Sequence, residues 1–96
     1  MIRNFADTAA QDIFNGVESR HARKIPMNLR GKVLRLLDQI NAAPELDVLK
    51  IPPGNRLEKL KGPLRGFWSA RVNDQWRIIF AWKEGDAYDV RVADYH

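Results

Sequence analysis

Cysteine is absent from the 96 residues. Disulfides, thiolate metal sites and thiol nucleophiles are therefore excluded. Only two histidines are present, His21 and His96, too few for the usual zinc ligand sets, so no metal is expected. No apolar run approaches the ~20 residues of a membrane-spanning helix, and Met1 to Asp7 lacks the apolar stretch of a signal peptide. The expectation is a cytoplasmic protein with no membrane partner. Internal repeats, low-complexity segments and the Walker and Rossmann glycine spacings are missing as well, so no cofactor is implied.

What is present is an ordinary globular balance, 45% hydrophobic and 29% charged, in a chain long enough for one domain spanning 1–96. The formal net charge of +4 is unevenly spread. Residues 50–82 carry seven Lys/Arg against two Asp/Glu, whereas residues 83–96 carry two against four. A localised basic zone attracts polyanions, because neutralising phosphates releases condensed counterions.

Ile2 to Phe5 reads as a short strand, and Asp7 or Thr8 can cap a helix over Thr8 to Asn15, with Gly16 past its end. Residues 17–24 form a polar connection whose His21, Arg20, Arg23 and Lys24 are expected to be solvated. Leu29, Val33, Leu36, Leu37 and Ile40 then make one apolar stripe on a helix from about Pro26 to Ala43, stopped by Pro44. Pro52-Pro53-Gly54-Asn55 is a loop, and Arg56 to Lys61 a short strand ended by Gly62-Pro63.

From Trp68 onward the period is two, with even positions apolar: Trp68, Ala70 and Val72; Trp76, Ile78, Phe80 and Trp82; Tyr88, Val90 and Val92. The three tryptophans are read as core. A three-residue loop at 73–75 keeps all these side chains on one face and sets Arg71 opposite Arg77 on the other. Like charges directly opposed are destabilising, so either a bound anion or splayed side chains are expected there. The fold class is α+β: two N-terminal helices on one face of a small, mostly antiparallel sheet. The odd face is left open and basic, with Arg71, Arg77, Arg91 and, if the last strand continues, Tyr95.

RNA can be cleaved without metal when its own 2′-hydroxyl attacks the adjacent phosphate. The protein must then supply a base, an acid and fixed cations for the anionic phosphorane. Arg77 is anchored in a strand and its planar fork matches phosphate oxygens. Lys61 is a candidate phosphate contact. His96 titrates near neutrality, with Asp94 and Tyr95 beside it. Arg56, Glu58, Lys59, Arg71 and Arg91 are candidate RNA contacts.

The run Pro53-Gly54-Asn55-Arg56-Leu57-Glu58-Lys59-Leu60-Lys61-Gly62, then Gly66 to Phe80 with Arg71-Val72-Asn73-Asp74-Gln75-Trp76-Arg77, then Asp94-Tyr95-His96, closely resembles the HigB-type toxins of the RelE/ParE superfamily. The resemblance covers nearly the whole chain. It implies a RelE-like fold and a ribosome-dependent endoribonuclease that cleaves mRNA in the A site. It also implies a helix-turn-helix antitoxin of HigA type, with operator DNA met only through that complex. The family's functional positions fall on Lys61, Arg77, Asp94, Tyr95 and His96. Glu58 departs from the pattern, since some members carry histidine there; either Asp94 and His96 take over the proton transfers or Glu58 substitutes. Two other readings stand beside this one. A ParE-type toxin would inhibit DNA gyrase by binding, and an inactive member would serve only as a corepressor.

Overall fold

A computed structural model describes residues 1–94. Helix α1 spans Thr8–Phe14 and helix α2 spans Met27–Ala42. Strands β1 (Glu58–Lys59), β2 (Phe67–Arg71), β3 (Trp76–Lys83) and β4 (Asp86–Asp94) form one antiparallel sheet in the order β1-β2-β3-β4. The α+β architecture is thus the one expected.

Asp7 caps α1 by accepting the Ala10 N–H at 2.7 Å, and its second oxygen accepts the Val92 N–H at 3.1 Å. One carboxylate thereby satisfies an orphan helix donor and ties α1 to β4. The apolar stripe of α2 behaves as its spacing predicts: Val33, Leu36, Leu37 and Ile40 are fully buried. They pack with Ala70, Val72, Ile78, Phe80, Val90 and Val92 from the even face of the sheet, and Trp68, Trp76 and Trp82 lie against this core.

The β2–β3 hairpin has the expected register, with Ala70 opposite Ile78 and Arg71 opposite Arg77. Asn73 shapes the turn, its Oδ1 accepting the Gln75 and Trp76 N–H groups at 2.9 and 2.7 Å. This is an Asx turn, the local bond that favours asparagine there. The β3–β4 hairpin is tight, because Lys83 pairs with Asp86. Glu84 and Gly85 both have positive φ, 52° and 84°, as a two-residue primed turn demands.

Three expectations need correction. The strand expected over Arg56 to Lys61 shrinks to Glu58–Lys59. Arg56 breaks it at the start with a left-handed backbone (φ 43°), and a short helical turn over Gly62–Leu64 ends it. Ile2 and Phe5 make only isolated parallel bridges, to Ala87 and Val90, instead of a strand.

The third correction concerns β4. Ile79 pairs with Arg91, but Ala81 pairs with Tyr88, so Asp89 and Val90 together face the single residue Phe80. This β-bulge inverts the side-chain alternation below it. Ala87 becomes fully buried, and Tyr88 moves from the helix-side face to the outer face.

A candidate RNA-contact face and the strand that leads into the tail

The register orders the outer face of the sheet into cross-strand rows. Arg71, Arg77 and Ala93 form the first, and Glu58, Ser69, Ile79 and Arg91 the second. Phe67, Ala81 and Tyr88 form the third. The face is less open than its polarity suggests. Ser69 and Ile79, at its centre, are only 1% and 3% exposed, while Arg91 lies over the Phe67 ring at 5.1 Å from its centroid.

The like-charged pair Arg71 and Arg77 is accommodated from within the chain. Asp74, in the hairpin turn, forms an ion pair with Arg71. The hydrogen bond and charge of Arg71 hold the Asp74 carboxyl below its usual value of 3.8, with smaller contributions from Arg56 and Arg77. Neither a bound anion nor splaying is needed to explain the pair. Arg71 and Arg77 are direct partners across β2 and β3, and Arg56 adds a smaller electrostatic effect on Asp74.

The other expected site residues separate into groups. Glu58 stands on the outer face, a diagonal neighbour of Arg71 across β1 and β2. Lys59 does not join it; its partner is Trp68, so its register position is on the helix-side face. Lys61 lies at the far end of the sheet from Arg77. Leu60 N–H donates to Phe67 O at 2.9 Å, whereas Arg77 pairs with Arg71, four residues further along β2. At ~3.4 Å per residue that is about 14 Å along the strand.

Ala93 is directly opposite Arg77 and Asp94 opposite Trp76, so the last strand runs beside Arg77 as far as Asp94. Asp94 itself belongs to the helix-side face. It accepts a hydrogen bond from Gln75 Nε2 at 3.1 Å and lines a cavity of about 460 Å³ together with His21, Lys24 and Trp76. Arg20, Arg23 and Lys24 are exposed, as expected of a solvated 17–24 connection, while His21 is half-buried where that connection meets the cavity. No periodic signal marks it, because the loop is brought there by the packing of α1 against β4. Tyr95 and His96 lie outside the described residues.

A family model for the RelE-like toxin of the type II toxin-antitoxin system HigB matches residues 3–96. The chain belongs to the HigB-like toxin family. A toxin HigB-1 from Vibrio cholerae serotype O1 is 46% identical over 70 residues, 73% of either chain. Endoribonuclease HigB of Proteus vulgaris is 46% identical over 41 residues, 43% of this chain and 45% of that one. Among solved structures, a chain of the YoeB-YefM complex from Staphylococcus aureus superposes with a TM-score of 0.63 at 21% identity, covering 100% of this chain and 95% of that one. YafQ from E. coli strain BL21(DE3) gives 0.59 at 19% identity over 98% and 91%. The HigB-like chain thus has the RelE-like fold and is a toxin of a type II toxin-antitoxin system. Among the described residues, no helix is long and apolar enough to cross a membrane.

Proposed function

We propose that this HigB-like toxin is a ribosome-dependent endoribonuclease that cleaves mRNA in the A site by attack of the 2′-hydroxyl on the adjacent phosphate. The observation that supports this best is the strand-anchored pair Arg71 and Arg77, with Ala93 of β4 directly opposite Arg77. Arginine forks fixed by a sheet can meet the developing phosphorane charge without reorganising. The name of the Proteus vulgaris relative, an endoribonuclease, points the same way.

In this reading Arg77 and Arg71 bind the scissile phosphate, with Arg56 adding to their field. Glu58, on the same face as the arginines, accepts the 2′-hydroxyl proton. His96 returns a proton to the leaving 5′-oxygen, Asp94 shares in handling protons, and Tyr95 orients the phosphate or stacks on a base. Lys61 reaches toward the same phosphate from beside the edge strand, Arg91 contacts nucleotides that flank the cut, and Lys59 contributes at the edge strand. The ribosome presents the strand in a reactive shape, so a modest site suffices. The chemistry requires no cofactor. The protein works in the cytoplasm, held in check by a helix-turn-helix antitoxin of HigA type, and reaches operator DNA only within that complex.

Arg77→Ala should lower cleavage of translated mRNA by about 100-fold or more, the loss typical of removing one preorganised donor to a transition-state anion. Deleting His96 should do the same, with circular dichroism unchanged in both. Toeprinting of mRNA on translating ribosomes reads the outcome. Normal cleavage by the Arg77 variant, or a block of gyrase supercoiling by a protein that leaves mRNA intact, would refute the proposal. Glu58→Gln and Asp94→Asn separate the two carboxylates. Only loss of the one that carries the proton should lower cleavage as far as Arg77→Ala does.

A further inference from the structure

The third row of the outer face has no part in the chemistry above. Phe67 on β2, Ala81 on β3 and Tyr88 on β4 are direct cross-strand partners, so all three share that face. Tyr88 is there only because of the bulge at Asp89 and Val90. The bulge is built deliberately: Asp89 takes a left-handed backbone (φ 53°), and Asn4 clamps it from both sides. Asp89 N–H donates to Asn4 Oδ1 at 3.0 Å, and Asn4 Nδ2 donates to Asp89 Oδ1 at 2.7 Å.

Two half-buried aromatic residues therefore stand two strand spacings apart, roughly 9.5 Å, with a small alanine between them. Arg91 lies over the Phe67 ring at 5.1 Å, so the surface offered at that end is a guanidinium on an aromatic support. Beside Tyr88, a hollow of about 350 Å³ is lined by Ala81, Lys83, Glu84, Tyr88 and Asp89. Aromatic rings and arginine planes on an open sheet are the groups on which unpaired bases stack. The row also continues the face that carries Arg71, Arg77 and Arg91, whose charge complements a phosphate backbone.

Resting on the ribonuclease reading, we infer that Phe67, Tyr88 and Arg91 form a stacking platform for bases of the substrate strand that flank the cut. The platform's two aromatic residues lie about 14 Å along the strands from the arginine pair, with Arg91 between the two rows. That is about four nucleotides at the ~3.4 Å rise of a stacked strand. Its occupant is therefore single-stranded RNA continuous with the scissile linkage. Stacking is sequence-tolerant, so the platform adds affinity and register rather than a base preference.

The test uses fluorescein-labelled, 2′-O-methylated RNA, which cannot undergo the cleavage, as a tetranucleotide and a decanucleotide of the same composition. Fluorescence anisotropy should show the decanucleotide binding roughly tenfold more tightly than the tetranucleotide. Tyr88→Ala and Phe67→Ala should each remove most of that gain while leaving tetranucleotide binding unchanged. Tyr88→Phe should keep the gain, because the ring and not the hydroxyl is used.

Equal decanucleotide binding by wild type and the folded Tyr88→Ala variant overturns the inference. So does a wild type that binds neither oligomer, and in that case continued cutting of translated mRNA leaves the proposed function standing. On translating ribosomes, Tyr88→Ala should raise KM for mRNA cleavage more than it lowers kcat. If it instead weakens co-sedimentation with ribosomes free of mRNA, the platform serves ribosomal RNA and the inference fails.

Discussion

Asp7 joins two elements through two oxygens, and its removal should cost more than a helix cap alone. Asp7→Ala leaves the Ala10 and Val92 N–H groups without their acceptor, a loss of about 1–3 kcal/mol that urea denaturation at pH 7 would measure. The capping half of this role is legible in the sequence, where Asp7 precedes an apolar-periodic stretch. The Val92 half is not, since it depends on β4 passing the helix start. Asn55 shows the same limit. It is 1% exposed, and its Nδ2 donates to the carbonyls of Leu49 and Ile51 and to Gln39 Oε1. In the sequence it reads as one more loop residue after two prolines. Asp74 also gained its meaning from contact: its ion pair with Arg71 offsets the like charge across the hairpin. Asp74→Asn should leave stability at neutral pH little changed, as for most exposed pairs. It should tighten RNA binding a few-fold and steepen its salt dependence, measured by anisotropy titrations at several salt concentrations.

The hairpins and helices divide along similar lines. The helix stripe of Leu36, Leu37 and Ile40 and the alternation of β2 and β3 follow from periods of 3.6 and 2, which any chain of this composition must obey to bury its apolar side chains. The β2–β3 register follows too, because a slip of one residue would turn Ala70 and Ile78 to the outside. The bulge in β4 does not follow. Its residues Tyr88, Asp89 and Val90 fit an unbroken alternation equally well, and the break is enforced by Asn4, some 85 residues earlier in the chain. Asn4→Ala should therefore destabilise the protein by about 1–2 kcal/mol. It should also raise amide hydrogen exchange selectively at Asp89 and its β4 neighbours, while α2 stays protected. Uniform protection across β4 in the variant would show that the bulge holds without its clamp.

The molecule as a whole depends on one contiguous core, and Phe80 is at its centre, fully buried and within the sheet. Phe80→Ala should cost about 3–5 kcal/mol, a large part of the ~5–15 kcal/mol that holds a domain together. A large drop in the urea midpoint is the expected outcome. Acid should act on stability mainly through Asp86, since the fully exposed Asp74 contributes little. The Asp86 carboxyl is lowered from 3.8 first by its hydrogen bond from Arg3 and then by that from the N-terminal ammonium. Because both folded values lie below the unfolded one, their stabilisation is complete above pH 3.8 and is lost as pH falls through the folded values. Asp86→Asn should flatten that acid limb in a stability-against-pH series by lowering the neutral plateau slightly toward the acid value. Period, turn chemistry and charge placement settled the α+β class, the helices, the central hairpin and the opposed arginines, because each is set by neighbours close in the chain or by a repeating pattern. The sides taken by Tyr88, Lys59 and Asp94, the distance of Lys61 from Arg77 and the burial of Asn55 had to await the packed chain. They depend on a bulge, an edge-strand register and loop contacts between segments far apart in sequence, and no local propensity encodes those.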